Sequence, residues 1–203
     1  MSSNYGLLSK TDINVLQNCL LDLVEMNGIG EPVKVLEIGV WDGKTAKGMR
    51  EFLRTKATPI EYIGIESGIG AESTIEPPFP KAKIINCDSI AARSLIPSRQ
   101  QLDLLIIDGC HCLTHACMDF LCYQSLVVPG GYALFHDINP AFQGVVQHHA
   151  SKDHRAMPMR VAVLQAVQLL GLLDQRFAGW TGKMSEWEEG CSNGFFVAKK
   201  LKH

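Results

Sequence analysis

Residues 32–48 read PVKVLEIGVWDGKTAKG, and this stretch decides the fold. Val33, Val35, Leu36 and Ile38 make a short apolar run rich in β-branched residues, the pattern of a strand buried in a parallel sheet. The run ends on Glu37-Ile38-Gly39, a short loop Val40-Trp41-Asp42 follows, and after Gly43 the segment Lys44 to Arg54 is helix-like. A strand that stops at glycine and passes straight into a helix is how an α/β fold begins a nucleotide pocket. Gly39 and Gly43 would let backbone approach a ligand with no Cβ in the way, and the helix start offers N–H groups that have no partner within the helix. The spacing is G-x-x-x-G with a glutamate two residues earlier. It is therefore neither the G-x-G-x-x-G dinucleotide fingerprint nor a Walker loop. Glu37 would repel a pyrophosphate and suits a cationic ligand group.

Working outward, Glu61 to Glu66 is expected to form a second strand, with Glu66 at its carboxyl end, where an acidic side chain accepts hydrogen bonds from a ribose diol. Ala82 to Asn86 reads as a third strand, followed by Cys87-Asp88-Ser89, a pair of polar residues that also suits a helix N-cap. Leu102 to Ile107 is almost wholly apolar, which predicts a central strand, and it runs into Asp108-Gly109-Cys110-His111. Thr114 to Leu126 reads as a helix, Pro129-Gly130-Gly131 as a turn, and Tyr132 to Phe135 as a fifth strand ending in His136-Asp137. Upstream, Ser9-Lys10-Thr11-Asp12 has the form of a capping box, with aspartate in place of glutamate. A packing helix over Lys10 to Met26 follows it, with Ile13, Leu16, Leu20, Leu23 and Val24 on one face. Met159 to Leu170 is an apolar helical run, and Gln175 to Trp180 and Gly194 to Lys199 read as two last strands.

The chain has 203 residues, enough for one domain with a full core. Its parts are an N-terminal helical cap (1–30), a cofactor-binding core (33–139) and a C-terminal part (140–203). A net charge of −2 with scattered Lys and Arg argues against nucleic acid as a partner. No apolar run is long enough to span a bilayer and the N-terminus has no signal-peptide core, so a cytoplasmic protein without a membrane partner is expected. The seven cysteines are too sparse for a disulfide scaffold and read as reduced thiols. Cys110, Cys112, His115, Cys117 and Cys122 mix two zinc-ligand residue types at short spacing. They straddle a loop and a helix without a C-x-x-C pair, so buried structural thiols are the expectation and a structural zinc the alternative.

The pattern E-x-G-x-x-x-G, here EIGVWDG, resembles motif I of class I S-adenosylmethionine-dependent methyltransferases, in the form used by small-molecule O-methyltransferases. The pairing of IDGCH with LVVPGGYALFHD is more specific and resembles the I-D-G-D-H…L-L-x-P-G-G…H-D pattern of that group. The resemblance spans about Val33 to Asn139 and departs from the group at Cys110 and over Cys112 to Cys117. It implies a doubly wound, Rossmann-like α/β fold: a seven-stranded, mostly parallel sheet closed by a C-terminal antiparallel hairpin. It implies O-methylation of a small-molecule hydroxyl with S-adenosylmethionine as cofactor. Glu37, Gly39 and Gly43 would hold the methionine part, Glu66 the ribose, and Asp88 and Ser89 would border the adenine. The segment after the fifth strand, Ile138 to Pro158, would border the substrate.

Two routes could deprotonate the acceptor. Asp108, His136 and Asp137 at adjacent strand ends could hold Mg²⁺ or Mn²⁺, which lowers the pKa of a bound hydroxyl. Alternatively, His111 or His136 could act as a metal-free general base beside Asp108. A homo-oligomer is left open. The rival readings are another Rossmann-type nucleotide-dependent enzyme, against which the missing G-x-G-x-x-G speaks, and a cofactor-binding protein without catalysis.

Overall fold

The computed structural model describes residues 8–67, 76–139, 159–185 and 194–202. Strands β1 (Val33–Ile38), β2 (Ile60–Glu66), β3 (Lys83–Asn86), β4 (Leu102–Ile107), β5 (Val127–His136), β6 (Trp180–Met184) and β7 (Phe195–Lys200) form one sheet in the order β3-β2-β1-β4-β5-β7-β6. The first five are parallel, and β7 runs antiparallel to both β5 and β6. The order reverses between β1 and β4. The crevice above that reversal is where open α/β sheets bind ligands.

Every residue of β4 is buried, as expected of a parallel strand covered on both faces. Alternation along the strands divides the core in two. Leu36, Ile38, Leu105, Ile107 and Phe135 pack with Phe120 and Tyr123 of α4 (Leu113–Tyr123) and with α5 (Met159–Leu169). Val33, Val35, Leu104, Ile106, Tyr132 and Leu134 pack on the other face. There they meet Leu16, Leu20 and Leu23 of α1 (Lys10–Asn27) and Met49 and Leu53 of α2 (Lys44–Thr55). Continuing that parity places Glu37, Asp108 and His136 on the α1/α2 face.

Helix α1 starts at the expected capping box: the Asp12 N–H donates to Ser9 Oγ and the Ser9 N–H donates to Asp12 Oδ2, both at 3.1 Å. It stops at Gly28, whose φ of 95° leaves the helical region. Asp88 caps the short helix α3 (Ser89–Ala92). Among the described residues no helix is long and apolar enough to cross a membrane.

Three boundaries differ from the sequence reading. Strand β5 begins at Val127, because Pro129 to Gly131 form an irregularity within the strand, where the register against β4 shifts between Leu102 and Leu104. The continuous helix expected to Leu126 ends at Tyr123 and tightens into a 3₁₀ turn over Gln124–Leu126. The hairpin strand expected over Gln175 to Trp180 instead runs from Trp180 to Met184. Gly171, Gln175 and Gly179 all take positive φ, and the Arg176 and Phe177 N–H groups both donate to the Gly171 carbonyl, so this stretch is a turn and pairing starts at Trp180.

Candidate functional site at the ends of strands β1, β4 and β5

The strand ends are held in register by backbone. The Gly39 N–H donates to the Ile65 carbonyl and the Asp108 N–H to the Ile38 carbonyl, both at 2.9 Å. Gly39 has φ 88°, and a Cβ there would lie 2.1 Å from the Asp108 carbonyl oxygen, so only glycine lets β1 and β4 approach this closely. Gly43 precedes α2 at φ 68°, and the first N–H of the helix, that of Lys44, donates to Asp42 Oδ1 at 3.0 Å. Between them, Trp41 is exposed with φ 51°, and its N–H donates to Glu66 Oε2 at 3.0 Å. Glu66 thus ties the loop after β1 to the end of β2.

Asp108 is the hub of the β4–β5 end. Its Oδ1 lies 2.9 Å from His136 Nδ1 and 3.3 Å from His111 Nε2. His111 Nε2 is also 3.0 Å from Asp137 Oδ2. Strand alternation alone would send Asp137 to the face opposite His136. Its φ of 59°, a left-handed conformation that aspartate tolerates, breaks the alternation and brings its carboxylate to His111. His136 is buried, packs on the Phe195 ring at 4.7 Å, and has Nε2 3.9 Å from Asp12 Oδ2.

These contacts set charge states. Burial works against an imidazolium at His136, but Asp108, with Asp12 and Asp137 behind it, holds its pKa well above the usual histidine value. Burial likewise opposes the Asp108 carboxylate, and the two histidines hold its pKa well below the carboxylate range. Glu37 goes the other way. Burial pushes it up to about 8, opposed by the Tyr62 hydroxyl that donates to its Oε2 at 2.5 Å and reinforced by Asp108 and Glu66.

The structure therefore rearranges the sequence-derived site. Glu37, expected to meet a cationic ligand, is 1% exposed and spent on Tyr62, a support beneath the loop. His136, expected among the metal donors and as a base, lies under Asp108 as its charged partner. The donor atoms that converge, all within 4.8 Å of one another, belong to Asp108, His111 and Asp137. Two carboxylates and an imidazole suit Mg²⁺ or Mn²⁺. Asp88 accepts from the Ile90 and Ala91 N–H groups and stays exposed on its outer side. Ser89 turns inward, where its Oγ donates to Asp119 Oδ1 at 2.5 Å. Burial pushes Asp119 up to about 7.

Asp12 is the residue that sequence reasoning missed, because its capping box fully accounts for it; the box also fixes the first turn of α1 so that the carboxylate reaches His136. Most of the segment expected to border the substrate, Ile138 to Pro158, lies outside the described residues.

A family of sequences described as "Methyltransferase domain" matches residues 36–138. No curated protein matches the chain. Solved structures do. A Staphylococcus aureus protein put forward as a caffeoyl-CoA O-methyltransferase is 13% identical, with 97% of this chain and 86% of that one covered and a TM-score of 0.63. An O-methyltransferase from Bacillus cereus in complex with SAH is 17% identical, with 96% and 82% covered and a TM-score of 0.61. MycE, a methyltransferase of the mycinamycin biosynthetic pathway in complex with Mg and SAH, is 16% identical, with 93% and 49% covered and a TM-score of 0.60. At these identities the likeness is one of fold.

Proposed function

The chain belongs to the methyltransferase-domain family, and from that premise we propose that it moves the methyl group of S-adenosylmethionine to a hydroxyl oxygen of a small molecule. The observation that carries the reading is the convergence of Asp108, His111 and Asp137 at the ends of β4 and β5, next to the Gly39–Gly43 loop at the end of β1. The bound SAH in the Bacillus cereus neighbour, and the Mg and SAH in MycE, support the same choice of cofactor and ion.

The residues fit both groups. The carboxylates of Asp108 and Asp137 flank His111 above one buried histidine, so the site offers oxygen donors to a cation, whether a sulfonium or a metal ion. S-adenosylmethionine would supply an electrophilic methyl group. Gly39, Gly43 and the start of α2 would receive its methionine end, Glu66 its ribose, and the outer side of Asp88 its adenine. Asp108, His111 and Asp137 would hold Mg²⁺ or Mn²⁺, which would supply a Lewis acid for the acceptor hydroxyl. His136 keeps Asp108 ionised and aimed, and Asp12 keeps His136 in place from behind. Holding donor and acceptor in line contributes up to roughly 7–11 kcal/mol where geometry is near ideal. The six described cysteines are all thiols, which supports a cytoplasmic setting.

Calorimetric titration with S-adenosylhomocysteine is the test. Micromolar binding is expected, and Glu66→Ala should weaken it by about 1.5–3 kcal/mol, the loss of a charged hydrogen bond. Absence of binding overturns the cofactor reading. A panel of hydroxyl acceptors assayed with EDTA, Mg²⁺ and Mn²⁺ then tests the ion. Turnover unaffected by EDTA removes the metal and leaves His111 as the base.

A further inference from the structure

A second cluster lies one turn of chain beyond Asp108 and plays no part in the reading above. Cys110 Sγ, Cys112 Sγ and a ring nitrogen of His115 lie within 4.8 Å of one another. We propose that these three side chains form a Zn²⁺ site that ties the loop after β4 to the first turn of α4.

The local fold builds this cluster. Cys112 is the N-cap of α4, and its Sγ accepts from the His115 N–H at 3.4 Å. The same sulfur sits 3.0 Å from His115 Nδ1. The other ring nitrogen, Nε2, points the opposite way and lies 3.6 Å from Asp88 Oδ2. A histidine that offers one nitrogen to the metal and the other to a carboxylate is the usual arrangement at protein zinc, because the carboxylate fixes the tautomer and raises the basicity of the ligating nitrogen. Cys110 completes the set from the loop. In a tetrahedral zinc site, Zn–S is about 2.3 Å and Zn–N about 2.0–2.1 Å. Donors at that radius stand roughly 3.5–3.8 Å apart, so the observed cluster needs shifts of an ångström or less.

The donor chemistry separates the two centres. Two sulfurs and an imidazole select Zn²⁺, whereas Asp108, His111 and Asp137 offer the oxygen-rich set preferred by Mg²⁺ and Mn²⁺. Binding releases one proton from each thiol, and the two thiolates balance the charge of the ion. Cys110, Cys112 and His115 are all half-buried, so the fourth position is open to water. The ion would anchor the loop on both sides of His111 and so hold His111 against Asp108 and Asp137. This proposal stands independently of the acceptor and shares with the methyl-donor reading only Asp88.

The test is titration of the reduced, metal-free protein with Co²⁺ as a spectroscopic stand-in. The expected result is a thiolate-to-cobalt charge-transfer band in the near ultraviolet that saturates at one equivalent and is abolished by added Zn²⁺. The band should be lost in Cys112→Ser and weakened in His115→Gln. It should persist in Cys117→Ser and in Asp137→Asn, since an oxygen-rich site gives no thiolate band. No such band in the wild-type protein, or a band that survives Cys110→Ser and Cys112→Ser together, overturns the proposal. A measurement on the wild-type chain removes any dependence on variant folding. With one equivalent of Zn²⁺, iodoacetamide should no longer alkylate Cys110 and Cys112 while still alkylating Cys122, as read by peptide mass spectrometry. Equal alkylation of Cys110 and Cys112 with and without Zn²⁺ overturns it.

Discussion

Glu37 and Asp108 lie near the ends of two paired strands, on the same face of the sheet, and their charge states are opposite. Burial raises the pKa of both carboxyls. Glu37 meets a phenol, which stabilises its anion by one hydrogen bond and leaves its pKa near 8. Asp108 meets two imidazoles, and their positive charge outweighs burial. Glu37 is 1% exposed and the Asp108 side chain 23%, yet burial still opposes both anions, and the partners decide the outcome: a proton-holding support at the end of β1 and an ionised hub at the ends of β4 and β5. The partner, more than depth in the protein, decides which carboxylate is available for chemistry.

The largest way to break this contrast is to neutralise the hub. Asp108→Asn keeps the shape and an acceptor oxygen for His136 but removes the charge. Turnover should fall about 10²–10⁴-fold, the range attributed to a positioned acid–base group. The equivalent change in the support, Glu37→Gln, replaces a carboxyl that is already protonated at neutral pH and should leave turnover nearly unchanged. Steady-state kinetics on the two variants with the same acceptor makes the comparison; equal losses would mean that the two carboxyls share one role.

Next in size is the removal of the cation between the carboxylates. His136→Ala removes the buried imidazolium between Asp12 and Asp108, which retain Ser9 and His111 respectively, and should cost at most about 3–5 kcal/mol at pH 6, measured by urea denaturation. The pH dependence has a definite sign. The pKa of His136 is raised by folding, so its contribution is complete below the unfolded value of about 6.5 and is lost as pH rises through the folded one. The pKa of Asp108 is lowered, so its contribution is present above about 3.9 and is lost as pH falls through the folded value. The pair therefore stabilises the fold most between those limits. A His136→Ala deficit that does not change with pH would remove the ion pair.

Glu37 contributes in the opposite sense. Its folded pKa of about 8 lies above the unfolded one, so the folded state retains a proton that the unfolded chain releases. Wild-type stability should decline as pH rises from about 4.5 to about 8, at up to roughly 1.4 kcal/mol per unit, and level off beyond. Asp119, pushed up to about 7, adds a slope of the same sign, so the informative quantity is the difference between wild type and Glu37→Gln. That difference should move in favour of the variant with rising pH. Parallel stability curves would show that Glu37 ionises in the fold as it does in water.

The strand ends were legible in the sequence because a buried parallel strand has a plain apolar signature and the residue after its last apolar position lies at the crevice. Asp108, His136 and Glu66 follow from that rule alone, and Asp137 comes one residue further on. What each side chain does there was not legible, since it depends on partners distant in sequence. Asp12 is 124 positions from His136, and its capping motif already explains it. Asp137 defies alternation because of a backbone conformation that the residue type permits but does not announce. Tyr62, which holds Glu37, reads as an ordinary strand residue. The β6 boundary is displaced because Phe177 and Trp180 favour a strand, while the Gly171 carbonyl takes the Arg176 and Phe177 N–H groups and the Phe177 carbonyl takes that of Trp180, which makes a turn. Cys110, Cys112 and His115 lack the familiar zinc spacing, and their convergence depends on the N-cap geometry of α4.

The smallest expected effect sharpens the comparison most. Tyr62→Phe removes the hydroxyl and keeps the ring, which packs at 5.7 Å from Phe79. The lost hydrogen bond costs about 0.5–1.5 kcal/mol where Glu37 is neutral. Because that hydroxyl favours the carboxylate form, its removal should raise the Glu37 pKa above its present value of about 8. The variant should then lose stability over a wider pH range than wild type, with the extra loss confined to alkaline pH. In the double variant Tyr62→Phe/Glu37→Gln that alkaline loss should vanish, since no carboxyl remains to ionise. If the alkaline loss persists there, the phenol acts on some group other than Glu37, and the contrast between a phenol-held and an imidazole-held carboxyl fails at its weaker member.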